Sequence, residues 1–109
     1  MGLIRGDIAI VIAPGDYGKP RPALVLQSNA FHATASVVVA LVTTDRQPEA
    51  ALFRKRVVPT DSNGLREPSD IMLDKLVSLP RKKIGKAIGH LSSTEMTEIT
   101  ASLALFLGM

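Results

Sequence analysis

A chain of 109 residues, 46% hydrophobic and 21% charged, has room for one core and one domain, spanning 1–109. The absence of Cys excludes disulfides, thiolate nucleophiles and Cys-based zinc sites, and two His without ligand spacing give no basis for a metal or other cofactor. A net charge of +3 is compatible with a polyanion partner without requiring one, while 4% aromatics and no Trp exclude an extended base-stacking platform and demand an aliphatic core. No stretch reads as a signal peptide, and no apolar run approaches the ~20 residues needed to span a bilayer. The expectation is a soluble, cytoplasmic protein.

In chain order, Arg5-Gly6-Asp7 reads as an entry turn. Ile8 to Ala13 is apolar on both faces, the pattern of a strand covered on both sides. The loop Pro14-Gly15-Asp16-Tyr17-Gly18-Lys19-Pro20-Arg21-Pro22 leads into a second short strand, Ala23 to Leu26. Turn chemistry alone accounts for its Gly and Pro as a hairpin connection. The two prolines also leave Arg21 little backbone freedom. A stiffly mounted guanidinium suits phosphate, because its fork of donors meets the oxygens two at a time.

Ser36 to Val42 is the strongest β run, a central strand ending in Thr43-Thr44-Asp45. After a polar connection, Leu52 to Val58 reads as a strand with a cationic middle, Arg54-Lys55-Arg56. Such charge either keeps a solvated edge from associating or forms a basic wall for a phosphate backbone. Pro59 to Ser69 is turn-rich, with Asn63-Gly64 as a tight turn. Ile71 to Val77 is a strand interrupted by Asp74 and Lys75. Pro80 to Lys83 is a basic turn, and Ile84 to Leu91 a short strand broken by Gly85 and Gly89.

Ser92 and Glu95 have capping-box spacing and open a C-terminal helix. Met96, Ile99, Leu103 and Phe106 fall at helical spacing and mark its buried stripe. Beyond Leu103 the helix is apolar nearly all round, more than one sheet can cover, which points to a dimer contact. The sum is a β-rich, mainly antiparallel fold, a small barrel or curled sheet closed by one helix.

Six features then align in order: Arg5-Gly6-Asp7; Gly18 with Arg21-Pro22 before Ala23-Leu24-Val25-Leu26; the valine-rich strand ending in Thr43; Gly64-Leu65; Ser69 before Ile71-Met72-Leu73-Asp74; and Gly89-His90-Leu91-Ser92 before the helix. Together they resemble the MazF/PemK toxins of bacterial toxin–antitoxin systems over nearly the whole chain. The resemblance implies an SH3-like barrel of the MazF/PemK/CcdB type with a C-terminal α-helix, and a homodimer. It also implies a sequence-specific endoribonuclease acting on single-stranded RNA and blocked by an antitoxin. The resemblance further implies that the antitoxin is acidic and partly disordered: matching potential accounts for the sign of its charge, and coupled folding supplies the contact area.

Metal-free RNA cleavage proceeds by attack of the 2′-OH on the adjacent phosphorus, giving a 2′,3′-cyclic phosphate and a 5′-OH. It needs the 2′ proton removed, the anionic phosphorane stabilised and the leaving oxygen protonated. Arg21 and Thr43 match the family's arginine and hydroxyl positions and suit the second task; Asp74 matches its acidic strand residue and completes the catalytic set. Asp16, Tyr17, Gly18 and Lys19 of the loop, with Thr44, Arg54, Lys55 and Arg56, are the expected RNA contacts. His32 fits no family motif, and His90 reads as structural. Met72 and Val77 depart from the pattern, standing where relatives carry arginines. Two other readings share the fold: a CcdB-like gyrase poison, whose Trp-Gly-Ile tail is here Leu107-Gly108-Met109, and a weakly active binding or autoregulatory protein.

Overall fold

The computed structural model describes residues 2–50 and 52–109. Its strands are β1 (Asp7–Ile12), β2 (Pro20–Val25), β3 (Ser36–Thr43), β4 (Arg54–Val57), β5 (Ser69–Pro80) and β6 (Ile84–His90), followed by helix α1 (Ser93–Leu107). They form one six-stranded sheet in the order β4-β5-β3-β2-β1-β6, each neighbouring pair antiparallel. The expected β-rich architecture with its terminal helix is what the chain adopts. The ladder does not close on itself, however: among the described residues β4 and β6 remain its two edges. The turn after β4 bridges them instead. His90 N–H donates to Ser62 C=O at 2.8 Å.

Both faces of the sheet are covered, as the doubly apolar β1 requires. On one, Ile8, Leu24, Ala40, Val42, Ile71 and Leu73 pack with Ile99 of α1. On the other, Val11, Ala23, Val25, Val37, Val39 and Leu79 form a second cluster. The helix starts on the expected capping box, with Ser92 Oγ accepting from Glu95 N–H and Glu95 accepting from Ser92 N–H, and stops at left-handed Gly108. Ile99 is buried, and Met96 and Leu103 pack beside it. Phe106 departs from the expected stripe: it is 46% exposed, tilted against Phe53 with ring centroids 5.7 Å apart. Leu105, Leu107 and Met109 are exposed as well.

The Arg5-Gly6-Asp7 turn is structural throughout. Arg5 donates to Leu26 C=O and, at 2.7 Å, to Thr100 Oγ1 on α1; Asp7 accepts from Ile4 N–H at 3.0 Å. No helix among the described residues is long and apolar enough to cross a membrane.

Three elements differ in extent from their sequence patterns. β2 begins at Pro20, because prolines that lack an N–H still align against β1, as Pro20 opposite Ile12 and Pro22 opposite Ile10. β5 runs well past both ends of the expected Ile71 to Val77. Leu52 and Phe53 lie outside β4, since Phe53 N–H closes a turn onto Ala50 C=O at 3.0 Å.

Candidate functional site

Two irregularities open the sheet on one face. Pro20 and Pro22 have no N–H to offer β3, and the β2–β3 pairing covers only Ala23 to Val25. The prolines thus sit where the two strands part. Two residues further along the same register, Arg21 on β2 lies level with Thr43 at the end of β3. The second irregularity is a register shift between β3 and β5 from Ala40 to Val42, opposite the stretch that carries Asp74 and Lys75. Such shifts bend a strand and re-aim its side chains.

The result is an open cleft of about 770 Å³ crossing β2, β3, β5 and β4, lined by Arg21, Thr43, Asp16, Arg54 and Asp74, among others. Leu41, Met72, Leu76 and Val77 supply its apolar lining, and Asp45, Gln47, Glu49 and Phe53 come from the β3–β4 connection.

Arg21 Nε lies 2.8 Å from Asp16 Oδ2. The contact is one of charge, since that buried oxygen has no aligned hydrogen-bond donor. The Arg21 side chain is 33% exposed. Asp16 is carried by a turn built on left-handed Gly15, Tyr17 and Gly18. Tyr17 therefore pays a small backbone strain that Gly would not. Thr43 Oγ1 accepts from Asp45 N–H at 3.1 Å, which leaves its O–H free to donate toward the cleft.

Asp74 is held differently. Its two oxygens accept from Arg54 Nε at 3.1 Å and Nη2 at 3.0 Å, a bidentate pair whose members are only 13% and 19% exposed. Those hydrogen bonds push the Asp74 carboxyl below its ordinary value, against the opposing effect of burial, and raise the Arg54 guanidinium. An acid so held stays ionised with its lone pairs engaged, and cannot readily take a proton near neutrality. Because the folded pKa is depressed, the pair stabilises the fold above about pH 4 and loses that contribution as pH falls through the lowered value. Asp74→Asn should cost about 2 kcal/mol at neutral pH. The gap in melting temperature between variant and wild type should narrow below about pH 4, which thermal unfolding across an acid pH series will measure.

The other expected contacts lie elsewhere. Arg56 pairs with buried Asp70 at 2.9 Å, and Lys55 and Arg56 line a neighbouring groove with Glu95 and Glu98. Thr44 faces a separate pocket beside Leu65 and Ile88. Tyr17, Gly18 and Lys19 are exposed on the loop without lining the cleft, and neither His32 nor His90 lines it. Unforeseen from sequence were Asp45, Gln47, Glu49 and Phe53, which sit in a segment that looked like polar connection and strand start.

A family model for the PemK-like, MazF-like toxins of type II toxin–antitoxin systems matches residues 4–107. The chain belongs to this family. A probable endoribonuclease MazF from Mycolicibacterium smegmatis is 42% identical over 106 residues, covering 96% of both chains. Among solved structures, an endoribonuclease in complex with its cognate antitoxin, from a mycobacterial species, superposes with a TM-score of 0.82 at 25% identity, covering 99% of this chain and 97% of the other. The Mycobacterium tuberculosis toxin MazF-mt6 does so with a TM-score of 0.78 at 25% identity, covering 94% and 97%. In this MazF-like chain the cleft gathers Arg21, Thr43 and Asp74 on one surface.

Proposed function

We propose that the chain is a metal-independent, sequence-specific endoribonuclease toxin that cuts single-stranded RNA by 2′-OH attack. The observation that carries this reading is Arg21 level with Thr43 at the parted end of β2 and β3, its one-third-exposed side chain lining the cleft. An RNA phosphate binds these donors and displaces Asp16 from Arg21. The 2′ oxygen then bonds to phosphorus as the bond to O5′ breaks. The 2′ proton passes to the released Asp16 carboxylate, and O5′ takes a proton from solvent. Arg21 and Thr43 hold the charge that grows on the phosphorane oxygens. Asp74 acts at one remove, fixing Arg54 in the cleft. The name of the 42%-identical relative, an endoribonuclease, supports the activity.

The active form is a cytoplasmic homodimer, supported by the exposed apolar end of α1 at Leu105, Leu107 and Met109. Its antitoxin is an acidic, partly disordered chain that lays a segment over Arg21. The solved complex of a similar endoribonuclease with its cognate antitoxin supports such a partner.

The test is incubation of purified protein with a long unstructured RNA in chelator, followed by mapping of fragment ends. Cleavage at a short motif with 5′-OH and cyclic phosphate ends is expected. A deoxynucleotide 5′ to the cut should abolish it, and Thr43→Ala should slow it by about 10²-fold. Intact RNA, or cleavage that survives the deoxy substitution, would overturn the reading.

A further inference from the structure

The cleft is long enough to hold more than the scissile phosphate. Arg21 on β2 and Phe53 next to β4 lie at opposite ends of it, separated by three strand spacings, about 14 Å. The two ends differ in charge. Arg21 becomes free once Asp16 moves, whereas Arg54 is already neutralised by Asp74. Asp45 and Glu49, from the connection leading into β4, add two carboxylates to the lining against the single cation of Lys75, so away from Arg21 the cleft is net negative. A phosphate placed there would lose water to meet a net like charge. A flat, uncharged group would not.

Phe53 is built to receive such a group. It is partly exposed and is the sole aromatic side chain in the cleft lining among the described residues. Its backbone is fixed on both sides, with its N–H on Ala50 and its C=O accepting from Leu73 N–H at 3.0 Å. Its ring is braced by Phe106 at 5.7 Å. Met72 and Leu76 add apolar surface to the same cleft. The scarcity of aromatic residues excludes a platform for successive bases, but one subsite needs only one ring.

Resting on the nuclease reading, we infer that Phe53 is the stacking surface for one nucleobase flanking the scissile phosphate, and so a specificity-determining residue of this chain. Arg21 anchors the backbone; Phe53 holds the neighbouring base and sets the register of cleavage.

The experiment uses a short RNA with one efficient cut site and the same RNA carrying a single abasic nucleotide at each flanking position in turn. Wild type should lose about tenfold in kcat/KM at one abasic position. Phe53→Leu, which keeps apolar bulk against Phe106, should lose about the same factor on intact RNA, mainly through KM, and nothing further at that position. Phe53→Trp should cut intact RNA at least as well as wild type. The inference is overturned if a folded Phe53→Leu cuts intact RNA like wild type, if its loss multiplies with every abasic loss, or if Phe53→Trp fares no better than Phe53→Leu. A wild type that cuts no RNA at all strikes the nuclease reading first, and the subsite falls with it.

Discussion

Replacing Arg21 with Ala should leave a folded protein that cuts RNA about 10²–10³-fold more slowly. The fold should tolerate the change. Arg21 sits where the β2–β3 ladder has ended, its side chain is one-third exposed, and its contact with Asp16 lacks an aligned hydrogen bond. A pair of that kind contributes little to stability. In the cleft the same guanidinium faces a charge that exists only while the phosphorane forms, so its loss falls on kcat rather than on binding alone. Arg21→Lys should recover only part of the rate, since an ammonium cannot span two phosphate oxygens in one plane. Single-turnover cleavage alongside thermal unfolding will separate the two quantities. A variant with unchanged melting and unchanged cleavage would remove Arg21 from the chemistry.

Asp16 sharpens this test, because it does two jobs. In the free protein it occupies the cation that a phosphate must reach; in the reaction it takes the 2′ proton. Asp16→Asn should therefore tighten RNA binding and lower kcat together. A carboxylate that only held the loop would move neither in that way.

Much of this site was legible because it is made of residues that break a strand pattern. The prolines around Arg21 announced a constrained arginine, and the same missing N–H groups end the ladder with β3. Asp74 and Lys75 stood out in an apolar run, and the register shift lies there. The chemical role of Asp74 was not legible. Sequence places the acid on its strand but does not show Arg54 wrapped around both its oxygens. Arg54, Lys55 and Arg56 looked like one basic stripe. Separate partners divide it: Arg54 is drawn to Asp74 in the cleft and Arg56 to Asp70. Phe106 fitted the helical stripe by spacing, yet its turn of α1 extends beyond the core that covers Ile99. By sequence Asn63 reads as a turn residue. It is 1% exposed, accepts from the backbone N–H groups of Thr60 and Leu65, and donates to Val58 C=O. A buried amide that ties a loop together has the same one-letter signature as a solvated turn.

That loop gives the second large effect. Gly89→Ala should destabilise the protein by about 3 kcal/mol and lower its melting temperature by roughly 15 °C. Gly89 looked like a strand breaker, yet β6 runs through it to His90. Its backbone is not left-handed, so the requirement is space. A Cβ there would stand 2.3 Å from the Asn63 carbonyl carbon and 2.4 Å from Ser62 O, both backbone atoms that no rotamer can move. Relief would need the loop to retreat, losing the His90-to-Ser62 hydrogen bond that bridges the two sheet edges and disturbing the Asn63 network that ties the loop together. Gly85 on the same strand is the control: its added Cβ would meet only Ile10 O, at 3.2 Å, so Gly85→Ala should cost under about 1 kcal/mol. Urea unfolding of the two variants side by side will measure the difference. Equal midpoints would mean that the bridge between β4 and β6 contributes nothing to stability, and that the sheet is held by its two apolar faces alone.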